Sequence, residues 1–422
     1  MALKRILVAK IHNRIARLLC REALYVQRDG DHDDFTVSAA RLATTRSDQE
    51  VADVIADVLG DRLLDDRYSD SAPENGFFEF VWRYSRAATI ASGTTEVLQL
   101  LLSRRLFRGD EIGVAQESAD MVHAVQRLCV NNGGVDFVRK ARQDSSVRKE
   151  LANQLSRLIE GLDPRDGFEA GVQAAEISRR LGRFVSPLPV EAILMSRGNG
   201  VPLGLTSESL RIEHSDLFDD WCLVHCDQSL STARFDSSLL GTRLGSFVSV
   251  HAASERTDGG RADDAEFALL HVLTAWYILG ALEKALEMSV VYAQQREQFG
   301  APIAVNQGVA FPLADASALL QGVHKLAEYS LWRIYAHPEV AVGDALALRW
   351  ATLESAQRVL AICQQVHGAI GLCDEHDMSV VVTGLQPRLR IPSGLSDTLD
   401  AAYEATTRLG FDTIYTPAPA SS

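Results

Sequence analysis

The sequence predicts a mainly α-helical protein with a small β-domain set between helical regions. Three observations lead there. Apolar residues recur at helical spacing over both ends of the chain, the stretch from about Val201 to Ala253 enriches in Val, Phe and Cys between polar turns, and 46% of the 422 residues are hydrophobic. A chain of that length and apolar content fills a large core, in more than one domain. The formal net charge of -14 disfavours nucleic acid and anionic membranes as main partners, because basic patches drive both.

The elements follow in order. Residues 3 to 27 carry Ile6, Ile11, Ile15, Leu18 and Leu19 at helix-compatible spacing, and Ser47 to Leu59 repeats the pattern before a C-capping Gly60. Asp61 to Gly76 is rich in Asp, Ser, Pro and Asn and reads as a surface loop. Helix resumes near Phe77, and Thr94 to Phe107 is a further helix opened by Thr and Glu and closed by two arginines, as the helix dipole prefers. After a polar stretch from Arg108 to Gln116, a second helical region runs to about Leu188, broken at Asp163-Pro164 and at Ser186 to Pro189. WCLVHC and SFVSVHA read as strands. Long helices then return at Ala265 to Gln295, Gln307 to Tyr335, Val342 to His367, and Ser396 to Leu409.

Six cysteines (Cys20, Cys129, Cys222, Cys226, Cys363, Cys373) are too sparse for a disulfide framework and point to free thiols in a reducing cytoplasm. The N-terminal MALKRILVAKIHNRIARLL spreads its basic residues among apolar ones, so it reads as an amphipathic helix and not a signal peptide. No run approaches the roughly 20 apolar residues of a membrane span.

Three short clusters carry candidate chemistry. YAQQREQFGAPI, residues 292 to 303, ends a helix at Gly300 and Pro302 with Arg296, Gln298 and Phe299 at the corner. Its plain alternative is an ordinary helix end whose arginine offsets the C-terminal dipole. QQVHGAIG, residues 364 to 371, places an amide and an imidazole beside two glycines that let a ligand approach the backbone. IASGTTEVLQ, residues 90 to 99, sets Gly93 before a helix whose first-turn amides and threonine hydroxyls suit a phosphate or ribose oxygen.

Together these stretches resemble the flavin-binding signatures of the acyl-CoA dehydrogenase family. YAQQREQFGAPIAVNQGVAFPLAD is similar to that family's R-x-x-F-G-x-P-I to L-A-D stretch, and Gln365 to Ala369 to its Q-x-x-G-G motif, with Ala369 in place of the second glycine. GFEAGVQAAEISRRLGRFVSPLPVE, residues 167 to 191, resembles its N-terminal domain. WRYSRAATIASGTTEVLQLLLSRRLF resembles the closing stretch of a C-terminal domain, yet it precedes the protomer it should follow. The resemblance therefore implies a fusion: residues 1–108 as a partial C-terminal helical bundle, 109–116 as linker, 117–200 as an N-terminal helical domain, 201–260 as a small β-domain and 261–422 as a four-helix-bundle C-terminal domain.

The same resemblance implies FAD as cofactor, an acyl-CoA substrate undergoing α,β-desaturation, an electron-transfer acceptor, and a homo- or hetero-oligomer with another dehydrogenase subunit, as in actinobacterial unlike pairs. Arg296 would neutralise the FAD pyrophosphate region with Gln298 in support, and Phe299 would pack on the cofactor. Thr94, Glu96, Gln365 and Gly368 would complete the site, with His367 either hydrogen-bonding the cofactor or capping a helix end. The family's proton-abstracting glutamate has no counterpart: its two positions hold Ser92 or Ser393, and Leu270. Glu266, one turn before Leu270, is either a shifted base or a solvated helix-start glutamate. A partner would then supply the base, unless the chain is a catalytically inactive scaffold or a truncated product that binds no flavin. Cys222, His225 and Cys226 have metal-ligand chemistry, but on one strand His225 faces away from the cysteines. Asp374 to Asp377 read as a solvated turn, and no catalytic triad or phosphate-binding P-loop stands out.

Overall fold

The structure is a computed structural model that describes residues 2–28, 34–65, 67–91, 93–108, 120–197, 200–234, 243–244, 248–250 and 255–411. The chain divides into two compact units. Met1–Gly113 clusters with Val290–Leu326, a segment that the sequence reading set within 261–422, and Val114–Ser289 clusters with Ala327–Ser422.

The first unit holds α1 (Ala2–Arg28), α2 (Asp34–Leu59), α3 (Phe77–Ser85) and α4 (Thr95–Leu106), together with parts of two longer helices. Amphipathic spacing explains α1: Leu7, Ile11 and Leu19 are buried while Leu24 and Tyr25 are exposed. Helix α2 begins well before Ser47, because Phe35, Ala39 and Leu42 extend its apolar face into a cluster with Leu98, Leu102, Ala314 and Ala318. Polar contacts fix the register. Gln99 donates to Asp315 at 3.0 Å, Arg46 pairs with Asp315 at 2.8 Å, and Gln321 donates to Thr36 at 3.1 Å.

The second unit opens with α5 (Asp120–Asn131), α6 (Val135–Gln143), α7 (Ser145–Leu158), α8 (Phe168–Arg183) and the short α9 (Val190–Leu194). Strands follow: β1 (Leu203–Leu205), β2 (Arg211–Glu213), β3 (Asp220–Val224), β4 (Ser229–Arg234), β5 (Arg243–Leu244), β6 (Val248–Val250) and β7 (Glu255–Arg261). They form a four-stranded sheet in the order β1-β3-β4-β7, with β1 and β3 parallel, and a three-stranded sheet in the order β2-β6-β5. Trp221, Leu223, Ala233 and Ile212 make its core, and the Trp221 indole donates to the Phe218 carbonyl at 3.1 Å. WCLVHC is strand only as far as Val224, so His225 and Cys226 sit in the turn beyond it and the alternating-face reading does not apply to them.

Helix α10 (Asp264–Gln295) is long and apolar enough to cross a membrane by length and composition, a departure from the sequence expectation. Its most apolar window is 94% buried within the fold. Two glycines allow α8 and α10 to touch backbone to backbone. A side chain at Gly182 would meet the Tyr277 carbonyl oxygen at 2.0 Å, and one at Gly280 would meet that of Arg179 at the same distance. A hairpin of β8 (Glu297–Gln298) and β9 (Ala301–Pro302) follows α10, then α11 (Gln307–Ala336), α12 (Ala341–His367), α13 (Asp377–Leu385) and α14 (Leu395–Leu409). Helix α13 escapes a sequence reading because DMSVVVTGL is rich in β-branched residues of low helix propensity. Burial of Met378, Val380, Val381 and Leu385 overrides that preference.

Candidate functional site

The corner after α10 is a tight hairpin. Arg296 N–H donates to the Tyr292 carbonyl at 2.8 Å as a last helical bond, and Ile303 N–H donates back to the Arg296 carbonyl at 2.8 Å. Phe299 and Gly300 then turn the chain with φ of +56° and +82°. Left-handed backbone suits Gly300 and costs a phenylalanine about 1 kcal/mol. Phe299 is nevertheless fully exposed, so burial does not compensate that strain within the chain. Arg296 and Gln298 are exposed too, and Arg296 makes no ion pair among the described residues. A strained aromatic thus stands exposed beside an exposed guanidinium at one turn.

The same unit holds the glycine-threonine cluster. Thr94 is the N-cap of α4, its Oγ1 accepting from Val97 N–H at 3.3 Å, and Glu96 lies exposed in the first turn. Gln294, two residues before the corner, donates to the Phe107 carbonyl at 2.7 Å and ties the end of α10 to the end of α4. Gln365, His367 and Gly368 lie in the second unit, at the end of α12. Gln365 and Gly368 are exposed. His367 is buried, with Nδ1 2.8 Å from the Cys363 carbonyl and its ring 4.9 Å from that of His376. Burial lowers its pKa, which leaves a neutral imidazole turned back onto its own helix.

No carboxylate stands at the described base positions. Ser92 lies outside the described residues. Ser393 Oγ shares a 2.9 Å hydrogen bond with Thr398 Oγ1, and Leu270 is fully buried. Glu266 is not solvated: it is 4% exposed and held by Arg165 at 3.3 Å and Arg197 at 3.2 Å. Its backbone N–H donates to Asp263 Oδ1 at 2.7 Å, which caps the first turn of α10. Both carboxylate oxygens are thus engaged by guanidinium groups and neither is turned to a ligand.

Sequence reasoning missed Arg349, which holds the Ser393 carbonyl, and His271, which follows Leu270 on α10. Arg349 donates through Nη2 to the carbonyls of Arg388, Ile391 and Ser393 at 3.3, 2.8 and 2.8 Å, and burial pushes its pKa down to about 10. His271 is buried with neither ring nitrogen bonded among the described residues, and burial followed by the charge of Arg349 holds it neutral. The only forewarning was a polar residue recurring on otherwise apolar helix faces. Nearby, Arg388 lies 3.7 Å from the centre of the Tyr277 ring and donates to Glu213 at 2.7 Å. Burial, opposed by Arg388, raises the Glu213 carboxyl to about 7.

An open cleft of about 670 Å³ lies among Arg157, Asp163, Arg165, Ile193, Arg197 and Phe218. Among the described residues no group of three or more His, Cys, Asp or Glu is placed to hold a metal. Cys222 is buried in β3, Cys226 is exposed, and His225 Nε2 bonds Ser231 Oγ at 2.9 Å. All six cysteines are free.

A helical domain, a small β-domain and a helical bundle in this order define the acyl-CoA dehydrogenase fold, and solved structures agree. The complex of ChsE4 and ChsE5 from Mycobacterium tuberculosis matches with a TM-score of 0.54 and 17% identity, over 73% of this chain and 100% of that one. A variant of the Tcur3481-Tcur3483 steroid acyl-CoA dehydrogenase matches with a TM-score of 0.55 and 15% identity over 73% and 99%. The family model described as acyl-CoA dehydrogenase, C-terminal domain, matches twice, over residues 4–107 and 258–398. The chain belongs to the acyl-CoA dehydrogenase family. Acyl-CoA dehydrogenase IpdE2 of Mycobacterium tuberculosis is 31% identical over 293 residues, 62% of this chain and 89% of that protein. Other relatives match in part: FadE27 of Mycobacterium tuberculosis is 31% identical over 105 residues, and the chain spans 28% of its length.

Proposed function

We propose that the chain is an FAD-dependent acyl-CoA dehydrogenase subunit that takes part in the α,β-desaturation of an acyl-CoA thioester, with a flavin site shared with another dehydrogenase subunit. The observation that carries this reading is the exposed corner of Arg296, Gln298 and Phe299, in one unit with Thr94 and Glu96. FAD, when bound, supplies the hydride acceptor. Arg296 would neutralise its pyrophosphate, Phe299 would stack on it, and the first-turn amides of α4 with Thr94 would hold polar oxygens of the dinucleotide. In the second unit, Gln365 and Gly368 present an exposed polar surface of their own to a dinucleotide. The reduced cofactor then requires an electron-transfer acceptor.

The absence of a free carboxylate at Ser393, Leu270 and Glu266 supports a base supplied by the partner, because the substrate α-proton needs a carboxylate within hydrogen-bond reach. A bulky acyl thioester such as a sterol side chain is the substrate this reading favours, and one structural neighbour, a steroid acyl-CoA dehydrogenase by name, is in keeping with it. The same missing carboxylate favours a second reading, a catalytically inactive scaffold that completes an active partner.

The visible absorption spectrum of the purified chain, alone and co-expressed with the product of the neighbouring gene, tests this. A flavin band only in the paired sample is the expected result, and Arg296→Ala should remove it. Flavin in neither sample overturns the cofactor assignment and leaves the scaffold.

A further inference from the structure

The two matches to one domain model make an internal comparison available. Helices α1 to α4 repeat α11 to α14 in order, and the chain writes the same signals twice. Arg41-Leu-Ala-Thr44 on α2 answers Arg349-Trp-Ala-Thr352 on α12, and I-A-S-G-T-T-E at 90–96 answers I-P-S-G-L-S-D at 391–397. Arg41 donates to the carbonyls of Ala88 and Ala91 at 3.2 and 3.0 Å, and Arg349 donates within the corresponding stretch to those of Arg388, Ile391 and Ser393, each one place away in register. Counted back from Gly93 and Gly394, the stripe Phe77, Phe80 and Tyr84 on α3 occupies the places of Met378, Val381 and Leu385 on α13.

The stripes differ in cover. Met378, Val381 and Leu385 are fully buried. Helix α6 packs on α13, Val185 meets its face at Gly384, and Arg139 of α6 reaches the Asp374 and Glu375 carbonyls at 3.2 and 2.9 Å and the Asp377 carboxylate at 2.7 Å. Those covering residues belong to the N-terminal helical domain. On α3 the equivalent Phe77, Phe80 and Tyr84 are 57%, 48% and 64% exposed, and Ile90 beyond them is 69% exposed. The stripe has grown more aromatic where it is bare, the composition of a protein interface rather than of a solvated helix.

We infer that α3 is the docking face for the N-terminal helical domain of a second dehydrogenase chain, whose α6-like helix covers Phe77, Phe80 and Tyr84 and whose following β-domain reaches the Ile90 to Thr94 segment. The helical domain that holds α6 covers α13 and leaves α3 bare. The inference deepens the shared-site reading and rests on it for the flavin, since Thr94 and Glu96 lie just beyond the docked face.

The test replaces Phe80 with the photo-reactive p-benzoylphenylalanine in the full chain, expressed in its own cells, with Val130 on α5 replaced as an exposed control. Cross-links from position 80 into the N-terminal helical domain of another dehydrogenase chain are expected. Cross-links into a second copy of this chain, cross-links into a protein of another class, or no cross-link each overturn the proposal. Phe80→Asp should lower co-purification of that partner about tenfold with the circular-dichroism melt unchanged, because the side chain is exposed. Full retention of the partner overturns the docking face. Flavin absorbance of the same samples separates the two readings: flavin without the cross-link removes the docking face alone, and the cross-link without flavin removes the cofactor assignment alone.

Discussion

Helix α13 lies under a helical domain that shields its whole apolar stripe, whereas α3, at the same place in its own half, shows phenylalanine and tyrosine to solvent. The arginines that brace the two halves differ in the same sense. Arg349 is buried and its charge is penalised; Arg41, which holds carbonyls of the corresponding stretch, is half-buried. A repeated pattern thus fixes helices and their bracing bonds twice but does not fix burial. What covers each copy decides that, and an identical substitution should cost different amounts in the two places.

The largest contrast is expected from a charge in the stripe. Val381→Asp should destabilise by about 4 kcal/mol, because it buries an unpaired carboxylate, while Phe80→Asp should stay within about 0.5 kcal/mol in the isolated chain. Urea melts of both variants measure this, and equal losses would break the comparison.

A smaller effect is expected at Glu213, on β2 of the second unit. The Glu213 carboxyl is raised to about 7 by burial, against an ordinary value of 4.5. The folded state holds its proton more tightly than the unfolded chain, so the stabilisation is full below about pH 4.5 and is lost as pH rises through about 7. The loss amounts to about 3 kcal/mol. Glu213→Gln should flatten that slope in melts taken from pH 4.5 to 8.

Gly384→Ala comes next. A methyl there would meet Val185 Cγ1 at 2.5 Å, and the expected cost is about 2 kcal/mol. Its counterpart Arg83, which pairs with Glu79 on an exposed surface, should tolerate Ala with a change below about 0.5 kcal/mol. The smallest effect is expected at the corner. Phe299→Asn, relieving a left-handed phenylalanine, should raise stability by up to about 1 kcal/mol while lowering flavin content, a stability gain with a functional loss.

Much of this molecule is legible in its residues. The long helices and the β-region are set by period and composition, and the corner at Arg296 to Gly300 is marked by its glycine and proline. Helix α13 is not, since three consecutive valines favour a strand until a neighbouring domain buries them. Glu266 reads as a solvated first-turn acid because its partners, Arg165 and Arg197, are far away in sequence and adjacent only once α10 is packed.

The sequence by itself therefore determined the helices, the duplicated signals and the residue types at the corner, because these rest on local spacing and backbone preference. The tertiary structure decided which copy is covered and which is bare, which unit each candidate residue joins, and that Glu266 is locked in ion pairs. Burial and charge pairing are set by residues distant along the chain, and no local pattern encodes them.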